Sequence, residues 1–123
     1  MKYLILIYSN PASREVWERL SDARRADGLS CYAALHEDLA ASGELVVSEA
    51  LADASLAKRV SVGEGQTMTS DGPFAEVKEH LAGFFLVECE SVQRAVEYAA
   101  RIPEAAYGLV EVRPVLDRSG LEM

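Results

Sequence analysis

The chain has 123 residues, half of them hydrophobic and 26% charged, with 20 acidic against 12 basic residues and a formal net charge of −8. A chain of this length fits one domain, residues 1–123, able to bury roughly two thirds of the surface its unfolded form exposes, and its composition excludes the disordered and fibrous classes. The acidic balance repels phosphate and so argues against nucleic acid as a partner, since nonspecific binding depends on cationic neutralisation.

Lys2 to Tyr8 is apolar on both alternating sets, Tyr3, Ile5 and Ile7 against Leu4, Leu6 and Tyr8, which predicts a central strand covered on both faces. The run is too short for a signal-peptide core with its cleavage site, and far too short to span a bilayer. A cytoplasmic protein with no membrane partner is expected. From about Ser13 to Ser42 the pattern becomes helical, with Val16, Trp17, Leu20, Leu29, Tyr32, Leu35 and Leu39 at three- and four-residue steps and a kink or break expected at Asp27-Gly28. Gly43 supplies a left-handed stop, and Leu45-Val46-Val47 lies in a second strand over Glu44 to Leu51.

Arg59 to Val62 and Gln66 to Thr69 flank Gly63-Glu64-Gly65 and read as a hairpin. Asp71-Gly72-Pro73-Phe74 is a rigid turn in which Asp71 accepts backbone hydrogen bonds, Gly72 takes positive φ and Phe74 is pinned into the core. Leu81 to Glu90 is again apolar on both faces, and Ser91 is placed to cap a helix whose buried stripe is Val92, Ala95, Val96 and Ala99. Pro103 ends that helix, and Leu109 to Val115 is the last strand. Two helices cover only one face of such a sheet. The second face therefore predicts packing against the sheet of a second copy, a homodimer, with the hairpin and the Pro73 loop of the same chain as the alternative cover.

His80 sits where polar residues give way to the apolar strand, and its titration near neutral pH suits proton transfer; His80 and Asp71 are thus the catalytic candidates, against a purely structural role for Asp71. On the last strand Glu111 and Arg113 share a face, where Arg113 can hold a ligand carboxylate in bidentate fashion or form a cross-strand ion pair. Tyr8, Tyr32, Tyr98 and Tyr107 read as core-edge residues able to offer hydroxyls to a cleft. His36 borders the apolar stripe as a hydrogen-bonded core residue. Cys31 and Cys89 are expected as two buried free thiols. No metal-ligand spacing, phosphate loop, dinucleotide fingerprint or nucleophile elbow occurs, so neither a metal nor a cofactor is expected.

The Asp71-Gly72-Pro73-Phe74 turn running on into Ala75-Glu76-Val77-Lys78-Glu79-His80-Leu81-Ala82-Gly83-Phe84-Phe85, with Arg101-Ile102-Pro103 and Tyr107 to Pro114, resembles the DGPF subgroup of the YCII-related (YciI-like) proteins over nearly the whole chain. The resemblance implies an α+β fold: a ferredoxin-like βαββαβ unit with an inserted β-hairpin, paired as a dimeric α+β barrel. In the YciI-like branch a histidine on the first helix and an aspartate before the proline ending the second helix are proposed as an active pair. The matching positions here are Tyr32 and Ile102, so that dyad is missing.

The leading expectation is a homodimeric small-molecule-binding or sensing protein whose cleft near Tyr32, His80, Glu111 and Arg113 holds the ligand. An accessory regulatory role comes from the resemblance alone. The alternatives are a cofactor-independent isomerase, lyase or monooxygenase, which needs a shifted pKa in a closed pocket, and a structural or protein-interaction module.

Overall fold

The computed structural model describes residues 1–74 and 76–117; Ala75, part of the turn run quoted above, and residues 118–123 lie outside them. In chain order the elements are β1 Lys2–Ser9, α1 Pro11–Arg19, α2 Asp22–Ser42, β2 Leu45–Ala50, β3 Lys58–Gly63, β4 Gln66–Asp71, β5 His80–Glu88, α3 Val92–Ala99 and β6 Val110–Pro114, with short 3₁₀ turns at Ala54–Leu56 and Pro103–Tyr107. The main sheet runs β2-β5-β1-β6 with every neighbour antiparallel. This is the ferredoxin-like order, and the β3–β4 hairpin is an insertion between β2 and β5.

One alternating set of β1, Tyr3, Ile5 and Ile7, joins Phe85 and Val87 beneath Leu35 and Leu39 of α2 and Ala95, Tyr98 and Ala99 of α3, with Ile102 closing the core. The other set forms two cross-strand rows on the opposite face. Val47, Leu86, Leu4 and Arg113 make one row, and Glu49, Phe84, Leu6 and Glu111 the other. Each row is apolar in its middle and ends in a charge. Every residue of β3 and β4 is exposed, including Val60, Val62 and Met68, so the hairpin does not cover this face. Among the described residues no helix is long and apolar enough to cross a membrane.

Several local expectations are corrected. The first helical region breaks at Leu20-Ser21, not at Asp27-Gly28: the Ser21 hydroxyl accepts from the Arg24 amide at 3.2 Å and starts α2, which runs unbroken through Gly28. Capping overrides a hydrophobic period that continues across it. At the other end Gly43 does take the left-handed conformation, φ 78°, and stops the helix. Leu29 and Val96 keep helical spacing yet are 59% and 50% exposed, while Tyr98 takes the buried place expected for Val96. Pro103 does not end α3, which stops at Ala99; it opens the following 3₁₀ turn, where its fixed φ fits the first position.

The turn after β4 also differs. Gly72 has the expected positive φ, 82°, but the Asp71 carboxylate pairs with Lys58 across the hairpin instead of accepting turn amides. Phe74 is 55% exposed, its ring stacked under the Arg59 guanidinium at 4.1 Å, because a cation over the ring face holds it outside the core. Of the two free thiols only Cys89 is buried; Cys31 lies on the exposed side of α2. His36 is exposed as well, one turn beyond Tyr32 on the rim of the helix.

Candidate functional site

The corner between α1 and α2 builds a cleft. Asn10 caps α1 by accepting from the Ser13 amide at 2.7 Å while Ser13 Oγ accepts from the Asn10 amide at 3.0 Å, and Pro11 fits the first turn. At the far end Arg25 reaches back from α2, donating to the Trp17 carbonyl at 3.0 Å, which also accepts from the Leu20 amide at 3.2 Å, and to the Glu18 carbonyl at 2.6 Å, and so caps the last carbonyls of α1. This pins Trp17 against Gly28, where an added Cβ would stand 3.3 Å from the indole Cζ3. A cavity of about 550 Å³ opens between this corner and the Pro103–Tyr107 turn, with Val16, Trp17, Leu20 and Tyr107 as apolar wall and Arg14, Glu18, Arg24 and Asp27 as polar wall.

A second cavity of about 460 Å³ lies between α2 and the β2–β5 edge, lined by Leu29, His36, Ser48, Glu49 and Phe84 among others. Tyr32 and Glu104 line both cavities. The Tyr32 hydroxyl donates to Glu104 Oε1, joining the middle of α2 to the 3₁₀ turn. Burial first, and then the adjacent carboxylate, push the Tyr32 phenol far above its ordinary range, so at neutral pH it is an un-ionised donor.

Of the four expected ligand-binding residues Tyr32 alone lies in this cleft, joined by Tyr107 from the wider set of cleft tyrosines. His80 begins β5 with Nε2 3.1 Å from the Val77 carbonyl and lines two smaller cavities, of about 380 and 260 Å³, beside residues 51–54; Pro73 and Phe74 close the larger. The smaller one shares Ser9 and Arg14 with the Tyr32 cleft, and there Arg14 is held by Asp53 at 2.7 Å. Asp71 lines neither of His80's cavities. Glu111 and Arg113 project from the opposite sheet face, since Val110 and Val112 of the same strand pack on the core; Glu111 accepts from the Tyr8 hydroxyl at 3.1 Å. Burial, then that bond, raise the Tyr8 phenol. The four expected ligand-binding residues thus lie in three places.

Glu104 was missed by sequence reasoning. The acid expected by resemblance maps to Ile102, which is buried in the core, and the carboxylate facing Tyr32 comes two residues later, just after Pro103. An acid offset by two from the matched position was the available signal. A phenol and a carboxylate therefore meet where the branch resemblance placed a histidine and an aspartate.

A different polar cluster ties α3 to the start of β2. Arg94 grips Glu44 with Nε at 3.3 Å and Nη2 at 3.1 Å, and the Tyr98 hydroxyl donates to the same carboxylate at 2.5 Å. The guanidinium first, and then the phenol, hold Glu44 down to about 2. Each member is matched by another, so the cluster is structural. Among the described residues no group of three His, Cys, Asp or Glu side chains is arranged to hold a metal ion.

The chain is 32% identical over 117 residues to the uncharacterized protein R00369 of Rhizobium meliloti (strain 1021), covering 94% of this chain and 92% of that protein. Among solved structures it is similar to 5-chloro-2-hydroxyhydroquinone dehydrochlorinase (TftG) from Burkholderia phenoliruptrix AC1100, in complex with 2,5-dihydroxybenzoquinone. The TM-score is 0.51 at 19% identity, with 99% of this chain and 100% of that one covered, a likeness of fold. A model of the YCII-related domain matches residues 1–119, and with the curated relative over nearly full length it places this chain in the YCII-related family.

Proposed function

We propose that the chain is a one-domain cytoplasmic protein that pairs with a second copy and binds a small organic molecule in the cleft between α1, α2 and the Pro103–Tyr107 turn. The observation that carries this reading is the half-buried Tyr32–Glu104 hydrogen bond in the wall common to two cavities. Cavities of this size, mostly apolar with a few convergent polar groups, are the usual form of a small-molecule site. The fold neighbour, solved with a quinone bound, is in keeping with a ring-sized ligand. Two unpaired thiols suit a reducing compartment. Pairing is supported by the uncovered apolar middle of the sheet and by the exposed valines and methionine of the hairpin arm. The Asp71–Phe74 turn supports placement in the DGPF branch, and with it a sensing or accessory regulatory role.

Of the residues expected to hold the ligand, Tyr32 stays in the proposed site and gains Glu104. His80 borders it through Ser9 and Arg14, and Glu111 with Arg113 belong to the proposed pairing face. The test is a thermal-shift screen of small aromatic acids, phenols and amines on the wild type and on Ala106→Trp, which fills the cleft from an exposed position. Ligands that raise the melting point of the wild type alone, with the two unliganded proteins melting alike, support the site. Silence across the set, or shifts that survive the substitution, overturns it.

The second reading is a cofactor-independent enzyme. It is favoured by the same pair: an un-ionised phenol beside a carboxylate can lend and retrieve a proton.

A further inference from the structure

We infer that the ligand of this cleft is an arylalkyl amine, seated with its ammonium group at the Tyr32–Glu104 pair and its ring against Trp17 and Tyr107. This deepens the reading above and rests on it.

Three observations point the same way. The first is charge. Glu18, Asp27 and Glu104 line the larger cavity, and Glu104 the smaller as well. Among the described residues none of these three carboxylates is in an ion pair, whereas of the two guanidiniums of the larger cavity Arg14 is taken by Asp53 at 2.7 Å and Arg24 alone is left to oppose them. The local field is therefore acidic, within a chain of net charge −8, and it attracts a cation and repels a carboxylate.

The second is hydrogen-bond bookkeeping. Tyr32 has one proton, and it is committed to Glu104. What the pair still presents is acceptor capacity: the phenol lone pairs and the rest of the carboxylate. Its complement is a ligand that donates, and an ammonium donates three times without accepting. The third is the wall. Trp17 and Tyr107 are each partly exposed and both line the larger cavity with Val16 and Leu20, so a ligand ring loses water against aromatic and aliphatic surface there, while the cation over the indole is already Arg25, 6.0 Å from the ring centroid.

The Tyr32–Glu104 bond then acts as a partition. A donor at Glu104 competes with Tyr32 for the carboxylate and lies where the two cavities adjoin.

The test is calorimetric titration with three probes of one ring and different heads: phenethylamine, phenylacetate and phenethyl alcohol. The expected result is that the amine binds about tenfold or more tighter than the acid, the alcohol falling between. Glu104→Gln should cost the amine about tenfold while changing the alcohol little, and Ala106→Trp should abolish both. Tighter binding of phenylacetate overturns the amine assignment and leaves the cleft as a binding site. Amine binding that Glu104→Gln and Ala106→Trp leave unchanged places it elsewhere and overturns the inference. If neither these probes nor the broader screen binds, the inference and the proposed function fall together.

Discussion

Tyr32 and Glu104, 72 residues apart in sequence, are joined by a hydrogen bond from phenol to carboxylate across the seam between α2 and the turn that follows α3. The bond fastens the outer helix layer to the far end of the chain and sets which cavity surfaces are acceptors.

Its contribution should be visible at high pH. The folded-state pKa of Tyr32 is raised above 10.0, chiefly by burial, so folding favours the neutral phenol. The stabilisation is fully present below the unfolded value and is lost as pH rises past it, because the unfolded chain releases a proton the folded chain keeps. Urea midpoints of the wild type should decline on the alkaline side of 10.0. In Tyr32→Phe that decline should be shallower and the neutral-pH stability lower by roughly 1.5–3 kcal/mol, a hydrogen bond to a charged acceptor. Equal alkaline slopes in the two proteins would count against the assignment.

Acid should act through a different residue. Glu44 is held near 2 by Arg94 and then Tyr98, against an ordinary value of 4.5. A depressed folded-state pKa stabilises above the unfolded value, and that stability is lost as pH falls from about 4.5 through the folded value. Glu44→Gln should cost about 1 kcal/mol at neutral pH and flatten the denaturant midpoint across this acid window. If the variant retains the wild-type acid slope, the network is not what Glu44 contributes.

Much of the fold was legible because β1 and β5 are apolar on both alternating sets, which only a central strand requires, and because Gly43 and Ser91 mark helix ends by local chemistry. Most of what failed was decided by tertiary partners. Phe74 stays out of the core because Arg59 sits over it, and Leu29 is exposed beside a cavity, while the break at Ser21 comes from a local cap across which the hydrophobic period runs on. The site was half legible: Tyr32 was singled out by position, while Glu104 lies on a one-turn element with no period to reveal it.

Two glycines should respond differently to alanine. At Gly83 an added Cβ would stand 2.9 Å from the backbone oxygen of Glu49 and 3.4 Å from Ala50 Cα, so β2 must move away from β5. Overpacking against backbone has no flexible partner to yield, and Gly83→Ala should cost about 1–3 kcal/mol. At Gly28 the neighbour is the rim of Trp17, a partly exposed side chain, and the helix gains about 1 kcal/mol of intrinsic propensity. Gly28→Ala should be nearly neutral in stability yet alter the cleft through the displaced indole, a difference that melting curves and the ligand screen separate.

The proposed pairing makes the sharpest demand on the open sheet face. Leu4, Phe84 and Leu86 are only half-buried in one protomer, flanked on the edge strands by Glu49, Glu111 and Arg113 and at the ends of the central strands by Lys2 and Glu88. Phe84→Glu places a carboxylate in the middle of the apolar band, where a second sheet would leave it buried and unpaired, while a lone protomer leaves it in water. Sedimentation equilibrium should therefore give twice the 13.4 kDa chain mass for the wild type and the single mass for the variant, with far-ultraviolet circular dichroism unchanged. The hairpin arm can be tested separately. The Gly72 amide donates to the Ala57 carbonyl at 2.8 Å, so the ends of the arm already meet and residues 58–71 can be removed without stretching the sheet. If the arm grips the second copy, this deletion weakens the dimer and leaves the protomer folded. A deletion variant as tightly paired as the wild type would confine the interface to the sheet, and a Phe84→Glu protein that remains dimeric would remove the sheet face from the interface.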